Sequence, residues 1–174
     1  VAMLGYGLGG WRLALLGGGT MVWIAVTGQW RWSMETLSVI MVAAPLSVAL
    51  GLGTGVAAWR WPGFERVLRP VLNIAQSLPH FAYMIPVVVF IGVGPKAGAV
   101  VTVIFSVPPM IRLTLLGLRK VPEEVVEAGR MCGASEWSLL ARVRIPTARA
   151  EILIGVNQVI MQCLAMVVLA SFIG

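Results

Sequence analysis

Apolar residues fill this chain in long blocks, and the charged residues fall between them as punctuation. The uncharged runs are 13–30, 36–59, 70–95, 97–111 and 152–174. A helix rises about 1.5 Å per residue, so the roughly 30 Å hydrocarbon core of a bilayer takes about 20 helical residues. Three of the runs reach that length unaided and two need their flanks. In the shortest, Arg112 snorkels toward headgroups and lets the helix continue through 113–118. The pattern therefore predicts an all-α, polytopic transmembrane helical bundle with about five crossings.

Composition agrees with lipid as the solvent. Of 174 residues 59% are hydrophobic and 11% charged, where a soluble domain carries about 25% charged residues. Seven acidic residues, all Glu, face thirteen basic ones; a net charge of +6 by itself suits nucleic acid, but the apolar blocks exclude that partner. If the helices alternate in direction, the connections 59–69 and 118–151 share one side and hold nine of the basic residues, from Arg60 to Arg149, against Arg31 and Lys96 on the other. The positive side is cytoplasmic. Trp11, Trp30, Trp32, Trp59 and Trp61 lie at segment ends, where indoles anchor at the membrane interface, and Trp23 faces lipid or a neighbour. Nothing has the short apolar core and cleavage site of a signal peptide. The chain begins without Met and stops inside an apolar run, so both termini are expected to be cut. Cys132 and Cys163 show neither disulfide nor metal-ligand spacing and read as isolated thiols.

Inside the runs, Gly51, Gly53 and Gly55 lack the lysine of a phosphate loop; Gly51 and Gly55 instead form a small-x-x-x-small face, as do Gly5 and Gly9. The run 70–95 carries Pro70, Pro79 and Pro86 with Gln76, His80 and Tyr83 between them. Each proline removes a backbone donor, so a bent or broken helix is expected here, lining a passage or simply kinked. His80 is either a hydrogen-bonded bundle residue or a solute or pH contact, and it has no Cys, Asp or second His to build a metal site. Asn157, Gln158 and Gln162 interrupt the last run; Gln158 and Gln162 share a face, with Asn157 at its border. These amides either line a passage or fasten helices together.

The most informative stretch is the polar connection 118–151. Pro122 followed by Glu123, Glu124 and Glu127 suits the first turn of a helix, where acids meet the positive end of the dipole. Gly133 supplies a bend, 134–142 a second short helix, and Pro146 a stop. Within it Glu127-Ala128-Gly129-Arg130-Met131-Cys132-Gly133 is followed, nine residues on, by Val143-Arg144-Ile145-Pro146. This resembles the loop signature of inner-membrane permeases of binding-protein-dependent ABC importers, E-A-A-x-x-x-G then I-x-L-P, with Gly129 in place of the second alanine. Leu68-Arg69-Pro70, Gln76-Ser77-Leu78-Pro79, Pro108 to Thr114 and Gly155-Val156-Asn157-Gln158 extend the likeness over most of 36–174, toward the glycine betaine and proline osmoprotectant branch. In that branch a further glycine-rich stretch and one more helix follow.

The resemblance implies a type I ABC importer permease fold, with a first helix and external loop over 1–33 and a core domain over 34–174 whose cytoplasmic coupling loop spans 118–149. It implies that Glu127, Ala128, Gly129, Gly133, Trp137 and Pro146 belong to a coupling helix that docks on an ATPase subunit. Its implied partners are two ABC ATPase subunits, a second permease copy, a periplasmic substrate-binding protein, a small-molecule solute and the lipid of a bacterial inner membrane. ATP and Mg would bind the ATPase, since no phosphate loop occurs here and no cofactor, metal site or catalytic residue is expected in this chain. For a methylated amine such as glycine betaine, proline, trimethylamine N-oxide, choline or carnitine, the expected path residues are Gln76, Pro79, Phe81, Tyr83, Asn157, Gln158 and Gln162. Two other readings remain: a secondary transporter, which would call for an ion-coupling carboxylate or inverted repeats, and a membrane scaffold without transport.

Overall fold

The structure, a computed structural model, describes residues 2–170. Its regular structure over those residues is all helix, joined by short turns, and it divides into two units, Val1–Ser38 and Val39–Gly174.

The first unit holds α1 (Ala2–Val26) and the start of α2 (Trp30–Arg60). Between them Gly28 adopts φ +72°, and the Gln29 amide reaches back to the Ile24 carbonyl, closing the end of α1. Arg31 and Glu35 pair one turn apart at 3.3 Å. The Gly5 and Gly9 face lies outside the residues whose side chains are described.

The second unit is organised around α5 (Pro95–Lys120), which holds Pro108 and Pro109 without breaking. Glycines let its neighbours approach. A Cβ on Gly51 of α2 would fall 2.5 Å from Met110 Cβ, and one on Gly55 2.7 Å from Thr114 Cβ. On the other side a Cβ on Gly155 of α9 (Arg149–Ala170) would fall 2.8 Å from Met110 Sδ, and one on Gly117 of α5 2.9 Å from Glu151 Cβ. With no hydrophobic drive between helices in lipid, such close approach supplies the packing. The small-residue face expected on Gly51 and Gly55 is therefore a helix contact.

Three apolar clusters stack along α5: Met84, Val101 and Met166; then Ala43, Met110, Val159 and Cys163; then Leu118, Val121, Val126 and Leu139. Among the described residues three helices, α2, α5 and α9, are each long and apolar enough to cross a membrane. That is fewer than the five crossings read from the charges, for two reasons. The apolar stretch Gly10–Val26 of α1 is shorter. The run 70–95 is not one rod, because α3 (Pro62–Ser77) and α4 (His80–Ile91) meet at 98° and form at most one broken span.

The break has a local cause. Pro79 has no N–H for the carbonyl of Ala75 four residues before it. The Tyr83 hydroxyl donates to that carbonyl instead, closing the gap from the far side of the bend. Ser77 Oγ takes the neighbouring Ile74 carbonyl at 2.9 Å. The freed backbone is thus satisfied by nearby polar side chains, as the sequence leads one to expect.

Candidate coupling loop and translocation face

Between α5 and α9 the chain folds back on itself through α6 (Glu123–Met131), α7 (Glu136–Leu139), a π-helical turn over Leu140–Arg144 and α8 (Ile145–Thr147). Pro122 caps α6 with extended backbone, and Glu123 and Glu124 occupy the first turn. Gly133, at φ +76°, turns the chain after α6, and its amide returns to the Arg130 carbonyl at 2.8 Å. Ser135 Oγ then accepts the Ser138 amide at 3.3 Å and caps α7.

Pro146 does not stop the second helix; it sits in the first turn of α8, within helical backbone running from Glu136 to Thr147. The π turn explains this, because the Ile145 amide bonds back to Leu140, and the widened turn absorbs the donor that Pro146 lacks. The helix is interrupted at Ala148 instead, a single residue before α9.

Gly129 matters for packing. A Cβ there would stand 2.5 Å from Leu139 Cδ2, so glycine in place of the motif's second alanine brings α6 close to α7. Val126, Leu139, Leu140 and Ala148 form the floor of the loop. Its outer surface is different. Glu127, Ala128, Gly133 and Pro146 are exposed, Trp137 is 75% exposed and Met131 90%. Large apolar side chains presented outward on a well-packed knob suit docking better than solvation.

Arg144 ties the knob to the bundle. It is buried, its guanidinium lies 4.8 Å above the Trp59 ring at the end of α2, and Glu123 Oε2 is 3.9 Å from Nη2. Arg130 meets Glu136 at 3.2 Å and Glu123 at 3.7 Å, linking α6 to α7. Sequence reading missed Met131, Arg144 and Trp59. The first two occupy variable positions of the loop signature, and Trp59 reads there only as an interface anchor.

The expected path residues fall into two groups. Gln76, Pro79 and Phe81 are exposed around the α3–α4 break, while Tyr83 is half-buried with its hydroxyl engaged by Ala75. His80 and Tyr83 both pack on Phe105 of α5, at 4.4 and 5.6 Å between ring centres. On α9, Asn157 and Gln158 are exposed and Gln162 is half-buried, its Oε1 buried with no hydrogen-bond partner among the described residues. No hydrogen bond joins the two groups among the described residues. Exposed amides on an apolar spanning helix are costly against lipid, so this face of α9 suits water or another protein surface. Among the described residues no group of three or more His, Cys, Asp or Glu is placed to hold a metal.

A multi-pass helical membrane bundle with a folded polar knob between its last two spans is the architecture of an ABC-importer permease. Residues 47–174 match the family described as binding-protein-dependent transport system inner membrane component, and the chain belongs to that family. Its fold is also that of the MetNI methionine ABC transporter in inward facing conformations, with TM-scores of 0.67 and 0.69 at 23% and 22% identity. Those matches cover 84% of this chain and 73% and 72% of the other. Among curated proteins it is 60% identical over 99% of its length to the trimethylamine N-oxide transport system permease protein TmoV of Ruegeria pomeroyi, and 52% identical over 99% to that of Pelagibacter ubique. It is 38% identical, over 100% of its length, to the glycine betaine/proline betaine transport system permease protein ProW of Escherichia coli. The chain spans 26% and 24% of the two TmoV proteins and 51% of ProW.

Proposed function

We propose that this chain forms the membrane passage of an ATP-driven importer for a small methylated osmolyte, with trimethylamine N-oxide the leading solute and glycine betaine, proline betaine and carnitine in the same class. The observation that supports it most is the knob: a compact, internally bonded loop that turns Trp137, Met131 and Glu127 outward. The identities of 60% and 52% to trimethylamine N-oxide permeases, against 38% to ProW, favour that solute.

In this reading the knob seats in a groove of an ATPase subunit that binds ATP and Mg. Two permease copies enclose the route, and a periplasmic binding protein delivers solute from above. Closure of the ATPase pair moves the knobs, and the bundle alternates between outward and inward openings. Glu127, Ala128, Gly129, Gly133, Trp137 and Pro146 form the docking element, and Gln76, Pro79, Phe81, Asn157, Gln158 and Gln162 the solute route. Tyr83 serves that route by holding its bend. Without a membrane-embedded carboxylate the route makes only weak contacts to the positive methylated nitrogen of such a solute, on aromatic faces and amide oxygens, at about 0.5–2 kcal/mol each. Weak contact permits release.

The test is uptake of labelled trimethylamine N-oxide into proteoliposomes holding the permease with its ATPase and binding protein. ATP-dependent uptake is expected, competed by glycine betaine more weakly than by unlabelled substrate. Glu127→Lys is expected to abolish copurification of the ATPase while leaving the chain in the membrane fraction. Absence of uptake for every solute of the class, with the ATPase bound, refutes the substrate; undiminished ATPase binding by Glu127→Lys refutes the docking surface.

A further inference from the structure

We propose that the cleft between α3 and α5 is a binding site for the phosphate of an anionic membrane phospholipid, with Arg112 its principal cation. The cleft has a volume of about 470 Å³. Arg69, Arg112 and Arg119 line it against one carboxylate, Glu65, which leaves a surplus of two positive charges. Glu65 is already shared, taking Arg69 at 2.6 Å and also Arg119. Among the described residues Arg112 has no acidic partner; it spends one donor on the neutral Asn73 Oδ1 at 2.7 Å and is otherwise exposed. A guanidinium carries five N–H groups in a fork matched to phosphate, so most of its capacity is free.

Depth and lining favour a lipid over a soluble anion. Arg112 lies eight residues before Lys120, the last residue of α5, a rise of about 12 Å. The headgroup layer on one side of a bilayer is about 5–8 Å thick. The arginines of the cleft therefore bracket the headgroups of the positive, cytoplasmic side, where phosphates are concentrated. Leu72 and Leu115 alternate with them along the same walls. A surface offering methylenes and guanidiniums together fits an amphiphile; inorganic phosphate uses only half of it.

The experiment uses the full chain purified in detergent, incubated with equal amounts of phosphatidylglycerol and phosphatidylcholine, with retained lipid counted by native mass spectrometry. Wild type is expected to retain phosphatidylglycerol over phosphatidylcholine, and Arg112→Gln to cut that preference by about fivefold, the weight of one arginine at an anionic surface. Arg112→Lys keeps part of it. Asn73→Asp, which neutralises Arg112 while leaving the guanidinium in place, is expected to match Arg112→Gln, so a misfolded single variant does not decide the outcome. Equal retention of the two lipids by wild type overturns the proposal, as does a preference untouched by both Arg112→Gln and Asn73→Asp. Displacement of phosphatidylglycerol by inorganic phosphate at equal concentration assigns the cleft to a soluble anion, and loss of the lipid only on dimerisation assigns it to a second copy; either result overturns the lipid as occupant. Each of these readouts is independent of transport.

Discussion

Gly51→Ala puts one methyl group where α2 and α5 have no room for it. The added Cβ would lie 2.5 Å from Met110 Cβ and 3.3 Å from the Val107 carbonyl, whereas carbon atoms rest about 3.5–4.0 Å apart. The helices must therefore separate by about 1 Å or more. Met110 cannot yield, because it is fully buried and its sulfur is wedged against Gly155 of α9 on the other side. Overpacking of this kind costs about 1–3 kcal/mol. For a chain of this size about 1 kcal/mol corresponds to 2–4 °C, so the thermal midpoint in detergent, followed by tryptophan fluorescence, is expected to fall by about 2–12 °C. Gly53→Ala is the control: nothing lies within 4 Å of its added Cβ, and alanine is the better helix former by about 0.5–1 kcal/mol. Its midpoint should hold or rise slightly. Met110→Ala should not rescue Gly51→Ala, since it keeps the clashing Cβ, whereas Met110→Gly should. Equal midpoints for Gly51→Ala and Gly53→Ala would refute the packing account, and so would full rescue by Met110→Ala.

Three further outcomes are expected. Tyr83→Phe leaves the Ala75 carbonyl without its donor and should cost about 1–3 kcal/mol in the same melt, whereas Phe105→Leu removes ring packing but spares the bend; spin labels on cysteines placed elsewhere, one on α3 and one on α4, would show a widened distance distribution only for Tyr83→Phe. Trp59→Leu removes the face under Arg144 and should raise ATP hydrolysed per solute moved, with the ATPase still bound; an unchanged ratio would leave Arg144 a packing residue only. Glu65 is held below its ordinary pKa of 4.5, chiefly by the Arg69 hydrogen bond; burial opposes this, and the Arg119 and Arg69 charges add to the lowering. A depressed carboxyl contributes stability in full above its unfolded pKa and loses it as pH falls through the folded value. The midpoint gap between wild type and Glu65→Gln should therefore be constant from neutral pH to about pH 5, at roughly 1–2 kcal/mol, and close in more acidic buffer. A gap that widens on acidification contradicts this.

Much of the bundle is written in the spacing of charges, because a charge inside hydrocarbon is too costly to be placed without cause. The Gly51 and Gly55 contact was legible for the same reason, since small residues four apart admit a neighbour. Legibility fails where the partner of a group is distant in sequence. Pro146 reads locally as a helix stop, but from Leu140, six residues upstream, the backbone widens and carries the helix through it. The 98° bend follows from Pro79 only once Tyr83 is seen reaching back to Ala75, a fact of side-chain placement rather than of pattern. Trp59 and Arg144 are 85 positions apart, and no periodicity in either segment announces that they meet. Phe81 and Asn157 stand out in the sequence by their chemistry alone, and pattern does not tell that both end up exposed.

The tie between Tyr83 and Ala75 makes the bend of α3 and α4 a braced bracket rather than a loose joint. Its lower arm is pinned to α5 through Glu65 and Arg119, and its upper arm rests on Phe105 through His80 and Tyr83. An L-shaped piece fixed at its corner works as a crank. A small tilt imposed near Arg119, one residue before the end of α5, sweeps the far tip at Ile91 through a larger arc. Leverage of that kind needs no flexible segment, only a corner that does not give.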